Sequence, residues 1–343
     1  MACLRDEPRG SLSNMLSRRL SITEEEQKQE DAEQPKQPNT LFVQFPFEKV
    51  FPVYAMGFLS SDFDPLLSFP YSRADPIWDA VRQEAKLEAE KEPILSSFLY
   101  ASILSHTCLE QALGFVLANR LQNPTLLATQ LMDIFSNVMM HDKDIQCSIR
   151  LDVQAFKDRD PACLSYNSAL LYLKGYHALQ SYRVAHSLWK QGRKVLAFAL
   201  QSRISEVFGI DIHPGMFIFF LCFILFTAYK HLIVEVSKRT KVAFCTSARI
   251  GDGILLDHGT GVVIGETSVI GSRVSLMHGV TLGGTGKEIG DRHPKVGEGA
   301  LIGACVNILG NIKVGEGAMI AAGSLVLKEV PPHRCKNLFF KLL

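Results

Sequence analysis

Two short stretches of this chain concentrate side chains able to do chemistry. Asp257-His258-Gly259-Thr260-Gly261 sets a carboxylate beside an imidazole, and Gly283-Gly284-Thr285-Gly286-Lys287 leads into Asp291-Arg292-His293-Pro294. Histidine is the side chain best suited to move a proton near neutral pH, and a guanidinium fork suits a carboxylate. The bland alternative is that these are ordinary corner loops, since Asp, Gly and Asn are turn formers in their own right. What singles the stretches out is that both interrupt a regular pattern, and functional groups are commonly mounted on loops that break a rigid scaffold.

The pattern is an aliphatic residue followed by a small one, returning every six residues. Its beats are Ile250-Gly251, Leu256-Asp257, Ile264-Gly265, Ile270-Gly271, Leu276-Met277, Leu282-Gly283, Val296-Gly297, Ile302-Gly303, Ile308-Leu309, Val314-Gly315, Ile320-Ala321 and Val326. A period of six fits neither a helix nor an ordinary strand and marks a repeat architecture. Each hexad reads as a short strand with its aliphatic residue inward and a small residue at the corner. Three hexads make one triangular coil, and stacked coils satisfy their backbone groups by parallel pairing. A parallel β-helix follows. The step from Leu256 to Ile264 is eight residues, and that from Leu282 to Val296 is fourteen, read as two hexads plus two residues.

The 343 residues, 47% of them hydrophobic, suffice for two domains with substantial cores. A net charge of +1, without a basic run flanked by aromatics, points away from nucleic acid and acidic membrane surfaces. The eight cysteines are scattered singly, which suggests free thiols in a reducing compartment. Residues 1–72 are polar and expected to be weakly ordered, with Glu24-Glu25-Glu26 through Gln37-Pro38 the least apolar tract. The Arg and Ser content of the start suggests a transit peptide, but Asp6 and Glu7 argue against one. The cytosol is the expected compartment, with plastid or mitochondrion as alternatives.

Residues 73–210 read as an all-α bundle. Asp75-Pro76 suits a helix start, Pro93 opens Ile94 to His106, and Lys157-Asp158-Arg159-Asp160-Pro161 reads as the acidic cap before a run from Ala162 to Lys174. His177, Tyr182, His186 and Trp189 fall at core spacing and are expected to be structural. The β-helix should occupy 211–333, yet residues 215–246 intrude. Excising them joins Ile212, His213, Pro214, Ser247, Ala248 and Arg249 into one hexad that steps onto Ile250. The apolar run Met216 to Tyr229 is shorter than the ~20 residues that span a bilayer, so no stable membrane insertion is expected. A translated intron fits this Phe-rich segment better.

Taken together, Arg159-Asp160-Pro161-Ala162, Asp211-Ile212-His213-Pro214, Leu256-Asp257-His258-Gly259-Thr260-Gly261, Gly265-Glu266-Thr267, Gly279-Val280-Thr281-Leu282-Gly283-Gly284-Thr285-Gly286-Lys287 and Asp291-Arg292-His293-Pro294 resemble the plant serine O-acetyltransferases. The resemblance covers about residues 75–333 apart from the intrusion. It implies an α+β protein in which an N-terminal all-α bundle precedes a left-handed parallel β-helix, and a reaction between acetyl-CoA and L-serine without a metal, opening cysteine biosynthesis. By position in the family's motifs, His258 is the base, Asp211 its orienter and His293 a further contact or oxyanion donor. Asp257 and Asp160 hold the substrate ammonium, and Arg292 grips its carboxylate. Gly283, Gly284, Thr285, Ala304 and Ala322 line the coenzyme A groove. Trimers paired into hexamers, with active sites shared between neighbours, are also implied.

Residues 334–343, Arg334 to Leu343, match neither the Gly-Asn-Pro-Ala segment nor the tail by which the family engages O-acetylserine (thiol)lyase. Binding of that partner is therefore not expected. Two alternatives stand beside the acetyltransferase: an inactive scaffold of the same shape, and a metalloenzyme similar to γ-class carbonic anhydrases. The latter needs a His pair five apart plus a third His, whereas His258, His278 and His293 stand singly and Arg273 lies five before His278.

Overall fold

The structure, a computed structural model, describes residues 75–215, 248–286 and 290–336. The weakly ordered start, nearly all of the 215–246 intrusion, Lys287 and the last seven residues lie outside this range.

Asp75 starts the first helix, α1 (Pro76–Lys91), by accepting the Trp78 N–H at 3.2 Å, as its sequence signature predicts. Arg150 then ties that cap to the bundle, binding Asp75 at 2.6 Å and Glu110 at 2.7 Å. The segment opened by Pro93 changes winding as it goes: a 3-10 turn at Pro93–Leu95, α2 (Ser96–Leu99), then a π turn at Tyr100–Leu104, with Leu99 and Ile103 buried. The remaining helices are α3 (Leu109–Leu121), α4 (Ala128–His141), α5 (Lys143–Arg159), α6 (Tyr166–Tyr172), α7 (Lys174–Lys190) and α8 (Lys194–Phe208). Here the structure corrects the sequence. Asp160 ends α5 and does not open the next helix, because Pro161 cannot continue an α-helix and forces the residue before it into extended conformation. Ser165 takes the capping role for α6 by accepting the Ser168 N–H at 3.0 Å.

Among the described residues, fourteen strands follow in three parallel sheets that the chain visits in rotation. Sheet 1 holds β1 (Ile210–Ile212), β4 (Val262–Ile264), β7 (Thr281–Gly283), β10 (Asn307–Leu309) and β13 (Leu325–Val326). Sheet 2 holds β2 (Arg249–Ile250), β5 (Val269–Ile270), β8 (Lys295–Val296) and β11 (Lys313–Val314). Sheet 3 holds β3 (Leu255–Leu256), β6 (Ser275–Leu276), β9 (Leu301–Ile302), β12 (Met319–Ile320) and β14 (Cys335–Lys336). The molecule is an α+β protein whose second part is a left-handed parallel β-helix of hexapeptide repeats. The aliphatic beats stack inward in register, as in Leu256, Leu276, Ile302 and Ile320, all nearly inaccessible.

The sheet order settles the longer break in rhythm. Leu282 belongs to sheet 1 and Val296 to sheet 2, so the fourteen-residue step is one corner with eight extra residues. No further side of the coil is hidden in it, contrary to the count of two hexads plus two. β1 and β2 occupy consecutive sides of the coil.

Helices and coil meet closely. A Cβ on Gly175, in the first turn of α7, would lie 2.0 Å from the Leu256 carbonyl oxygen, so only glycine lets α7 approach β3. Arg159 donates to the carbonyl of Arg273 at 2.8 Å and the hydroxyl of Ser275 at 2.9 Å, and also reaches the Gly253 carbonyl. Its burial pushes the guanidinium down to about 10, which leaves it charged at neutral pH.

Tyr182 and Trp189 are buried, and half-buried His186 bonds the Pro214 carbonyl at 2.9 Å, in keeping with structural roles. His177 is fully buried and donates from Nε2 to Leu170 O at 2.8 Å, while its Nδ1 has no partner. Burial pushes it down to about 4. Being neutral in the fold and protonated when unfolded, it leaves stability intact above the unfolded value of about 6.5 and removes it as pH falls toward 4. Denaturant midpoints measured across that window should fall by the equivalent of roughly 3 kcal/mol in the parent, and His177→Leu should lack this acid-dependent component.

Candidate active site

The predicted site residues sort onto two edges of the coil. The first edge, where sheet 3 turns into sheet 1, carries His258, His278, Ala304 and Ala322 in one column, each two residues after a paired inward beat. His258 sits in the left-handed region with φ +55°, and Gly259 and Gly261, which also have positive φ, carry the turn onward. A Cβ on Gly259 would lie 2.5 Å from the Ile210 side chain, so the loop needs glycine for space as well as for backbone freedom.

His258 is 74% exposed and its imidazole stands 3.8 Å from the mostly buried Asp257 carboxylate. Asp160 reaches the same edge from the end of α5, where its carboxylate accepts the Ala162 N–H at 2.8 Å. Burial raises the Asp160 pKa, the Ala162 hydrogen bond opposes this, and the nearby charges of Asp257 and His258 push it up and down respectively. Asp160, Asp257 and His258 are thus electrostatic neighbours. Asp211 differs from expectation. Its carboxylate, on the outer face of β1, accepts from the Gln201 side chain at 2.7 Å, and no hydrogen bond joins it to His258 among the described residues. The cause is α8, which brings Gln201 against β1.

The second edge, where sheet 1 turns into sheet 2, carries Gly283, Gly284, Thr285, Arg292 and His293. Thr267 locks His293 from the coil before. The Thr267 hydroxyl oxygen accepts the backbone N–H groups of Arg292 and His293, both at 3.2 Å, so its own proton goes to His293 Nδ1 at 2.8 Å. The Thr267 N–H also donates to that nitrogen at 3.3 Å. With Nδ1 accepting, neutral His293 keeps its proton on Nε2 and is a fixed donor. Burial and the adjacent Arg292 lower its pKa, in agreement. Arg292 donates to Glu266 at 3.0 Å while its buried Nε has no partner, and Gly284 leaves room for its aliphatic stem.

One three-residue strand of sheet 1 separates the edges, roughly 10 Å. Within one chain, therefore, the base and the Arg292–His293 pair do not converge. Within one chain His293 stands on a different edge from His258 and His278, and among the described residues no group of three His, Cys, Asp or Glu is placed to hold a metal ion. Glu266 and Thr267 join the site although the motif that contains them does not single them out. Counting register from the paired beats places Thr267 beside His293 and would have found them.

A hexapeptide coil bearing a histidine edge and an arginine-histidine edge defines a hexapeptide-repeat transferase, and comparison with known proteins narrows this. The model "Serine acetyltransferase, N-terminal" matches residues 77–181, and "Bacterial transferase hexapeptide (six repeats)" matches residues 293–328. Serine acetyltransferase 4 of Arabidopsis thaliana is 64% identical over 97% of this chain and 84% of its own length. Serine acetyltransferase 2 of the same plant is 70% identical over 84% of this chain and 79% of its own. Among solved structures, soybean serine acetyltransferase complexed with serine superposes with a TM-score of 0.65 at 48% identity, covering 76% of this chain and 96% of that one. The Brucella abortus enzyme in complex with coenzyme A gives 0.65 at 45%, covering 76% and 91%. The chain belongs to the serine acetyltransferase family.

The Gly265 position offers a test of the second edge. A Cβ there would lie 2.1 Å from the His293 ring, so Gly265→Ala must displace the imidazole. The expected result is a loss of roughly 10²-fold in kcat/KM, since a misplacement near 1 Å has that effect, with circular dichroism unchanged.

Proposed function

We infer that this protein is a serine O-acetyltransferase, moving the acetyl group of acetyl-CoA to the hydroxyl of L-serine. The observation that carries the reading is the first-edge column: a histidine base flanked by two carboxylates, with Ala304 and Ala322 below it in successive coils. Small residues there leave a groove parallel to the coil axis, in which a pantetheine arm can run up to the base, with Gly283, Gly284 and Thr285 of the neighbouring protomer's second edge as its other wall. The serine and coenzyme A complexes of the relatives support the two substrates.

Serine's ammonium lies between Asp257 and Asp160, and its carboxylate on the Arg292 guanidinium. His258 takes the hydroxyl proton as the oxygen attacks the thioester carbonyl. The C–O bond forms while the carbonyl π electrons move to oxygen, where the Nε2–H of neutral His293 stabilises the anion. Collapse breaks the C–S bond, and the proton held on His258 passes to the departing thiolate, giving O-acetylserine and coenzyme A. Asp211 stabilises the transient imidazolium once the exposed His258 ring turns toward sheet 1, and Gln201 keeps that carboxylate in place.

Because the two edges lie apart in one chain, we assign each complete site to the first edge of one protomer and the second edge of its neighbour. This requires a homotrimer, in keeping with the hexamer that the resemblance implies. The free thiols of Cys108, Cys147, Cys163 and Cys305 suit a reducing compartment, and the cytosol is our assignment.

Replacing His258 with Ala should lower turnover by ~10²-fold or more with the fold retained. Turnover within a few-fold of the parent would refute the base assignment. Arg292→Ala should be equally inactive with serine. Unfolding and refolding the two variants together should restore about a quarter of the parent activity, the fraction of interfaces that pair an intact His258 edge with an intact Arg292 edge. No recovery from mixed trimers would place the whole site in one chain.

A further inference from the structure

His278 has no part in the chemistry above, yet it lies directly against the base. It repeats the position of His258 one coil further on, and the two rings meet edge to face with centroids 6.0 Å apart and planes at 72°. The left-handed backbone of His258 fixes the direction in which its side chain leaves the edge. Hydrogen bonds do not hold the ring in place: its nearest carboxylate is 3.8 Å away, and Asp211 is engaged by Gln201. The contact with His278 is thus the packing that restrains a largely exposed imidazole.

We propose that His278 is a positioning residue for His258, a statement that rests on His258 being the base. Its ring limits the rotation of the His258 imidazole and keeps it above the Ala304 and Ala322 groove. The other groups facing this pair are Asp257 beside His258, Asp160 from α5, and Lys174 from the start of α7, whose amine bonds Thr260 in the same loop. From the following coil comes Cys305, whose N–H bonds the His278 carbonyl at 2.9 Å.

Two variants separate the ring contact from the imidazole itself. His278→Phe keeps an aromatic ring against His258, whereas His278→Ala removes it. Steady-state kinetics of the full chain should show kcat of H278A down by roughly tenfold with both KM values little changed. H278F should recover most of that loss, because the ring contact is kept. Kinetics of both variants that match the parent would overturn the proposal. So would an equal fall in both, which would show that the ring contact is not what holds the base. H258A run alongside keeps the outcomes distinct: if it retains activity, the base assignment fails and the proposal with it. If it is inactive while H278F and H278A match the parent, only the role of His278 fails.

Discussion

The buried carboxylate of Asp152 is the constraint on which the arrangement of helices and coil depends. It is fully inaccessible and accepts from Arg183 Nε at 2.8 Å, Arg183 Nη2 at 3.0 Å, Gln180 at 2.8 Å and the backbone N–H of Ile254 at 2.9 Å. These donors come from α7 and from the corner between β2 and β3, so one side chain of α5 fastens two helices to the coil. Arg183 extends the joint by donating to the Gly251 carbonyl at 2.7 Å. Removing one partner from such a buried pair costs about 3–5 kcal/mol, because it strands a charge away from water. Asp160 lies eight residues further along the same helix, so its place beside Asp257 and His258 follows from how Asp152 and Arg159 seat α5.

With that joint in place, the two edges do different electrostatic work. The first edge gathers carboxylates around an exposed imidazole, an environment that attracts an ammonium group and tolerates a transient imidazolium. On the second edge a part-exposed arginine and a histidine held neutral by Thr267 make a surface suited to a carboxylate and a developing oxyanion. Sheet 1 stands between them as a spacer of fixed width. Placing opposite halves of the chemistry on separate edges prevents their collapse into an internal ion pair, and it makes assembly of protomers a condition of activity in the function inferred here.

By itself, the sequence determined the coil. Burial of one aliphatic residue per side is a one-dimensional requirement, so period six and the inward ladder could be counted along the chain. The motif residues could be named for the same reason, since each falls at a fixed offset from a beat. Only the tertiary structure decided which edge each motif occupies. The step from Leu282 to Val296 could be one corner or more until pairing of β7, β8 and β10 fixed it. Asp160 could open one helix or close another until Pro161 and the Arg159 bonds resolved the choice. The partners of Asp211, His293 and His258 were likewise beyond reach, because Gln201, Thr267 and His278 meet them through packing across helices and between coils. Residues far apart in the chain become neighbours there only when the number of residues in every loop and the seat of every helix are known.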